Sequence, residues 1–248
     1  MGKNLPRAIE KSAYLHEVDI LRDLDPVELE QLGMRAPMQR VAAGTVFFSP
    51  EQAAEVLFIL KEGRVRLYHL SEDGKALTTA ILDAGTIFGE MALLGQALHQ
   101  SYAEADTSCV LCLMSRDDVR SLLLADPRIA TRIAEILGRR LISAESRLSD
   151  FAFKSIPQRL ASLLIQLARP PRGRLFRGDA APEVAYTHEA LAEMVGTYRE
   201  TVTKTLNEFR IAGLIELKRS RVIIRDAAGL RALGQSSGHT LTVGAKPE

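Results

Sequence analysis

The groups best placed to do chemistry in this chain lie between Thr187 and Ile215, in the stretch THEALAEMVGTYRETVTKTLNEFRIAGLI. Tyr198, Arg199, Glu200, Thr203, Lys204 and Asn207 gather hydroxyl, guanidinium, carboxylate, ammonium and amide groups within ten residues. These groups hydrogen-bond to base edges and phosphates, so the chemistry expected is recognition rather than catalysis. No Gly-rich nucleotide loop, G-x-S-x-G nucleophile motif or carboxylate pair placed for acid–base work occurs. An enzyme is therefore not expected.

Two helices must hold that set. From His188 to Val195, Leu191, Met194 and Val195 share one apolar face. Gly196 interrupts it with the residue best able to take a left-handed helix stop. A second helix follows, with Thr197-x-x-Glu200 at the spacing of a capping box. In it Val202, Leu206 and Phe209 share a buried face, and the polar set lies around the other side. Two short helices and a minimal glycine turn predict a helix-turn-helix whose second helix enters the major groove of double-stranded DNA. Ile215–Leu217 and Val222–Ile224 read as strands around Lys218, Arg219, Ser220 and Arg221, a wing with a basic tip. The DNA-facing set expected is Thr187, Thr197, Tyr198, Arg199, Glu200, Thr203 and Lys204, with Lys218, Arg219 and Arg221 of the wing.

Charge divides the chain the same way. Residues 152–248 hold 15 Lys/Arg against 9 Asp/Glu, a net +6, and residues 1–151 hold 17 against 22, a net −5. A basic C-terminal part behind an acidic N-terminal part suits a DNA-binding domain joined to one that stays off the DNA. No apolar run approaches the length of a membrane span and the N-terminus lacks a signal peptide's core, so a cytoplasmic protein without membrane contact is expected.

The N-terminal part opens with a helix capped by Asp25, with Pro26 at its first position and Gly33 at its end. From Met38 the period shortens. Runs such as EVLFILKEG, RVRLYHLSEDG and KALTTAILDAG are separated by Gly63, Gly74 and Gly85, eleven residues apart, with a hairpin turn at Glu72–Lys75. This predicts an antiparallel β-roll or jelly roll. Asp126-Pro127 then opens a helix running to about Phe153, in which Leu137, Leu141, Ala144, Leu148 and Phe151 form a heptad seam. A homodimer paired along that seam is expected, with the helix's first half packed on its own β-domain. Ile156-Pro157 marks a break before an amphipathic helix from Gln158 to Ala168. The domains expected are 1–125, the helix 126–153, a DNA-binding domain 154–233 and a disordered tail 234–248.

Cys109 and Cys112 form a CxxC, but on a strand residues three apart point to opposite faces, so the thiols cannot meet. Without a second Cys pair or a matching His set, neither metal nor cofactor is expected.

This order of elements resembles the CRP/FNR (cyclic AMP receptor protein) family of bacterial transcription regulators over residues 20–230. Phe88-Gly89-Glu90-Met91-Ala92-Leu93-Leu94 is similar to the family's phosphate-binding cassette, Arg139-Arg140-Leu141 and Ala152-Phe153 to its long helix and hinge, and Arg199-Glu200-Thr201-Val202 to the start of its recognition helix. The resemblance implies an α+β fold: a cyclic-nucleotide-binding-type β-roll, a dimerisation helix and a winged helix-turn-helix. It implies an activator that contacts RNA polymerase and reads TGTGA-like half-sites, with Arg199 on a guanine, Glu200 on a cytosine and Lys204 where a second Arg is usual.

An effector pocket would use Gly89, Glu90, Met91, Ala92, Gln100 and Ser101, with Ala144 and Glu145 of the long helix. Here the chain departs from the family. The Arg-Ser pair of cyclic-AMP-binding members is Gln100-Ser101, and their Thr-Ser pair is Ala144-Glu145. A buried phosphate without its cation is costly, so cyclic AMP is not expected to bind. Two alternatives stay open: a different small-molecule effector, or a dimer that rests in its DNA-binding form. The second is favoured slightly, because no substitute cation appears near Gln100. A rival from another class, a small-molecule sensor or scaffold without DNA binding, is disfavoured by the basic wing.

Overall fold

A computed structural model describes residues 18, 21, 25, 27, 36–52, 56–89, 101–169, 181–219 and 221–235. The chain divides into two compact units, Met1–Ile142 and Ser143–Glu248. The division falls inside the long helix, earlier than the break expected at Phe153–Pro157.

The first unit is a β-roll of two antiparallel four-stranded sheets. Strands β1 (Met38–Val41), β3 (Val56–Glu62), β6 (Ile87–Phe88) and β8 (Cys109–Ser115) form one, in the order β1-β8-β3-β6. Strands β2 (Val46–Phe48), β4 (Arg64–Leu70), β5 (Ala76–Asp83) and β7 (Ser101–Ala105) form the other, in the order β2-β7-β4-β5. The β4–β5 hairpin closes at the predicted turn, where the Gly74 N–H donates to the Ser71 carbonyl at 2.9 Å.

Strand β8 shows how the layers are made. Cys109 and Leu111 point into the roll with Phe58, Leu60, Val65 and Phe88. Val110, Cys112 and Met114 point the other way, onto helical residues. The strand is therefore apolar throughout instead of alternating. It also places the two cysteines on opposite faces, both buried as free thiols. Burial pushes the Cys109 thiol up from its ordinary pKa, and the thiol donates to the Arg64 carbonyl at 3.2 Å. Such a group is an inert core residue. Inside the roll Phe47, Phe58 and Phe88 form an aromatic cluster, with Phe58 and Phe88 stacked at 4.7 Å.

Helix α1 (Arg116–Ala125) follows β8 directly and was not anticipated. Ser115 caps it, accepting from the Asp118 N–H at 3.2 Å. Asp126 then ends α1 and starts α2 (Pro127–Phe153), accepting from the Arg128 N–H at 2.9 Å. Its carboxyl is held below the usual range by the Arg128 guanidinium hydrogen-bonded to it. The first half of α2 covers the sheet as expected, with Ile129 and Ile136 in one core with Leu57, Ile59 and Met114. Its second half does not bury its apolar residues: Leu141, Ile142 and Leu148 are 61, 67 and 71% exposed.

The second unit contains the rest of α2, then α3 (Ile156–Leu167), α4 (His188–Val195), α5 (Arg199–Ile211) and α6 (Ala227–Gln235). Ser155 and Gln158 form a capping box at the start of α3, with Pro157 in its first turn, so the expected break is a helix start. Strands β10 (Ile215–Lys218) and β11 (Arg221–Ile224) pair antiparallel, Lys218 opposite Arg221, as the wing. A further strand, β9 (Glu183–Val184), joins the edge of β11 at the end of a stretch whose Pro, Gly and Arg content predicts a loop. Helix α6, also unanticipated, buries Leu230 completely. The tail beyond Gln235 lies outside the described residues. So does the N-terminal helix, apart from Asp25 and Val27, where the Asp25 carboxylate accepts from the Val27 N–H at 2.8 Å.

Gly63 and Gly44 both adopt positive φ, +91° and +83°. A methyl group at Gly63 would lie 2.4 Å from the Ser108 carbonyl, whereas at Gly44 it would meet nothing within 4 Å. Gly44→Ala carries only the backbone strain, about 1–2 kcal/mol. Gly63→Ala adds overpacking of roughly 1–3 kcal/mol. Urea denaturation of the two variants will show the Gly63 substitution as the more destabilising.

Candidate nucleic-acid interface

Thr187 caps α4, its hydroxyl accepting from the Ala190 N–H at 3.1 Å. The apolar residues Leu191, Ala192, Met194 and Val195 bury its inner face. Gly196 stops the helix at φ 70° and ψ 50°, the left-handed conformation expected of it. The next residue departs from expectation. Thr197 is buried, and its N–H closes the end of α4 by donating to the Ala192 carbonyl at 3.0 Å. Helix α5 therefore starts one residue later, with Tyr198 as its N-cap and no side-chain capping bond. The Thr197–Glu200 capping box does not form, because Thr197 is engaged in ending the helix before it.

Val202, Leu206 and Phe209 are buried on the inner face of α5, as their spacing predicts. On the opposite side Arg199, Glu200 and Lys204 are exposed, with Tyr198 two-thirds exposed beside them. Thr203 is half-buried and belongs partly to the scaffold: its hydroxyl lies 2.9 Å from His188 Nδ1, tying α5 to the start of α4. Asn207 donates to the Thr203 carbonyl at 3.0 Å.

The wing's cations are unequal. Arg221 bridges to both oxygens of Glu183, at 2.9 and 3.1 Å, a pairing set by the unanticipated strand β9. Lys218 sits 3.5 Å from Glu216, which is also bound by Arg225. Hydrogen bonding from Arg225 holds the Glu216 carboxyl below the usual glutamate range. Arg219 is exposed in the turn. Between the wing and the helices lies a concavity of about 450 Å³, lined by Thr187, His188, Glu189, Arg199, Lys218 and Arg221 among others. Three cations and the capped N-terminus of α4 face that space, a combination suited to an anion.

The residues expected to line an effector pocket are only partly described. Glu90, Met91, Ala92 and Gln100 lie outside the described residues. Gly89 is buried at φ 85°, and a side chain there would strike the Val56 carbonyl at 2.7 Å. Ser101 begins β7, and its hydroxyl lies 3.3 Å from His69 Nε2 on the neighbouring β4. Along β4 and β7, Val65 pairs Ala105, Leu67 pairs Ala103 and His69 pairs Ser101. Since Val65, Ala103 and Ala105 belong to the roll's core, His69 and Ser101 share that inward face. The expectation about the surroundings of Gln100 falls on a residue outside the described ones; the imidazole lies near Ser101 itself. His69 is 32 residues from Ser101 in the chain, and only the strand pairing joins them. Ala144 and Glu145 are exposed on α2. Among the described residues, no cluster of three His, Cys, Asp or Glu could hold a metal ion, and no helix is long and apolar enough to cross a membrane.

Comparison with known proteins agrees with both halves of this description. Residues 38–126 match the cyclic nucleotide-binding domain family, and residues 158–233 match the Crp-like helix-turn-helix domain family. The cyclic AMP receptor protein of Thermus thermophilus is 31% identical over 190 residues, covering 77% of this chain and 84% of that protein. A CRP-like cAMP-activated global transcriptional regulator of Mycobacterium tuberculosis is 28% identical over 216 residues, covering 87% and 96%. Among solved structures, a CRP/FNR-family transcriptional regulator from Thermus thermophilus superposes with a TM-score of 0.67 at 29% identity, covering 82% of this chain and 100% of that one.

Proposed function

The chain belongs to the CRP/FNR family of transcriptional regulators, and we propose that it acts as a homodimer on palindromic DNA, independently of cyclic AMP. The observation that carries the dimer is the bare seam of α2. Leu141 and Leu148 are more than half exposed, Phe151 is 38% exposed, and all lie at heptad spacing with Leu137 and Ala144. Two copies paired along it would present two recognition helices to half-sites about one helical turn apart. Leu141 and Leu148 still expose about two-thirds of their surface, so burying them in both protomers is worth roughly 4–8 kcal/mol, at about 1.5–3 kcal/mol per fully buried side chain. Leu141→Asp with Leu148→Asp is expected to give monomers in sedimentation velocity at micromolar concentration. A wild-type monomer under those conditions would sink the dimer.

Arg199 and Glu200 at the start of α5 read guanine and cytosine in TGTGA-like half-sites, and Lys204 reads more loosely because an ammonium lacks the planar fork of an Arg. Thr187, Thr197, Tyr198 and Thr203, together with Lys218, Arg219 and Arg221 of the wing, complete the DNA-facing set. On such sites the protein acts in the cytoplasm as an activator in contact with RNA polymerase. Arg199→Ala is expected to cost about 1–3 kcal/mol and to relax one base position. Site selection returning an unrelated consensus that ignores this substitution would refute the assignment.

Cyclic AMP lacks a guanidinium at Gln100 and hydroxyls at Ala144 and Glu145. Losing a buried charge-assisted pair costs about 2–5 kcal/mol, which moves micromolar binding toward millimolar. The dimer resting in its DNA-binding form accounts for this most simply. The His69–Ser101 pair favours a second reading, in which Gly89, Glu90 and Ser101 hold a different effector. Calorimetry with cyclic AMP and cyclic GMP is expected to show no micromolar binding, and ligand-free protein to bind DNA tightly. Micromolar cyclic AMP binding that switches on DNA affinity would overturn the proposal.

A further inference from the structure

The last carbonyls of an α-helix have no acceptor role within it and carry its negative partial charge. In α4 the Ala192 carbonyl is satisfied locally, by the N–H groups of Gly196 and Thr197. The Met194 carbonyl instead receives a hydrogen bond from another helix: Arg147 Nη2, on α2, donates to it at 3.0 Å. Met194 stands two residues before the Gly196 turn and five before Arg199, so this bond grips the helix-turn-helix at its corner. Burial pushes the Arg147 guanidinium below its ordinary pKa, as befits a cation drawn away from water.

Around this bond α2 presents two faces. Ala144, Leu148 and Phe151 belong to the seam. Arg147 and Asp150, with Lys154 just past the helix end, are spaced three and four apart and form an adjacent polar stripe. Lys154 pairs with Asp150 at 2.9 Å and donates to the Ser162 hydroxyl of α3 at 3.2 Å. Arg159 of α3 lies over the Phe151 ring at 4.6 Å. The Lys154 and Arg159 contacts hold α3. Arg147 reaches past α3 from α2 to the helix-turn-helix.

We propose that Arg147 is the positioning residue that fixes the recognition helix relative to the dimerisation helix, and so sets the half-site spacing that the dimer accepts on double-stranded DNA. The inference rests on the dimeric reading above. A dimer whose recognition helices are held at one angle matches one spacing; loosening each joint lets them follow others.

The test uses full-length protein and duplexes carrying two half-sites recovered by site selection, with the spacer varied one base pair at a time. Wild type is expected to show one spacing optimum. Arg147→Met, which keeps the apolar stem and loses the donor, is expected to remain dimeric, losing about tenfold affinity at the optimum and under threefold one base pair away. The profile therefore flattens. Arg147→Lys, which keeps a charge and a donor, flattens it less, and its profile decides the matter should the Met variant fail to fold. A wild-type spacing profile in both variants overturns the inference. So does a uniform loss at every spacing that tracks a lowered thermal midpoint, since that marks a merely structural role. A wild type that is monomeric, or that has no spacing optimum, overturns the dimeric reading and this inference with it.

Discussion

A helix can bury an apolar stripe only against a partner long enough to cover it, and α2 is longer than either unit of its own chain can cover. Over its first half the stripe is met by the sheet containing β3 and β8, and Ile129 and Ile136 vanish from solvent. Over its second half the seam stays in solvent, with Leu141 61% and Leu148 71% exposed. The polar stripe beside it, Arg147 to Lys154, is meanwhile engaged with α3 and α4. One continuous helix is thus a wall of the β-roll, an unpartnered seam and a bracket for the DNA-binding helices.

The DNA-binding unit puts rigid and exchangeable contacts in different places. Its rigid part is the corner between α4 and α5, where the left-handed Gly196, the buried Thr197 and the His188–Thr203 hydrogen bond fix the helices together. Its exchangeable part is the wing, where Arg221 rests on Glu183 and Lys218 near Glu216. The Lys218–Glu216 pair is open to solvent on both sides and contributes only about 0–1 kcal/mol, so a phosphate can take that cation at little cost. Glu183 is largely buried and holds Arg221 more firmly. The same pairing keeps the wing's charge in defined positions before DNA arrives. The polar groups at the start of α5 are placed otherwise: Arg199, Glu200 and Lys204 stand in solvent.

In the β-roll, small residues pack beside large ones. Ala103 and Ala105 are fully buried on β7, opposite Leu67 and Val65, beside the stacked Phe58 and Phe88. One step further along the same face stand His69 and Ser101, polar groups at the edge of an aromatic core. The neighbouring face carries Tyr68 stacked on Tyr102 and Arg66 bridged to Glu104, so polarity on the two faces of β4 has different uses.

What the sequence determined by itself was whatever depends on near neighbours. The seam of α2, the buried faces of α4 and α5, the left-handed Gly196, the Asp126-Pro127 helix start and the Gly74 hairpin all rest on residues within one or two turns. Opposite orientation of Cys109 and Cys112 follows from the strand's period of two in the same way. Short elements with weak periods were not legible: β7 is built on alanines, β9 has two residues, and α1 follows β8 without a loop. Nor was the failure of the Thr197–Glu200 box, since the same threonine suits two helix ends and packing chooses between them. The long-range pairings lay furthest from view. His69 meets Ser101 across 32 residues, Arg221 meets Glu183 across 38 and Arg147 meets Met194 across 47. Each depends on strand register or helix docking, which arise when distant apolar faces pack together, and no local pattern of residues encodes that partner.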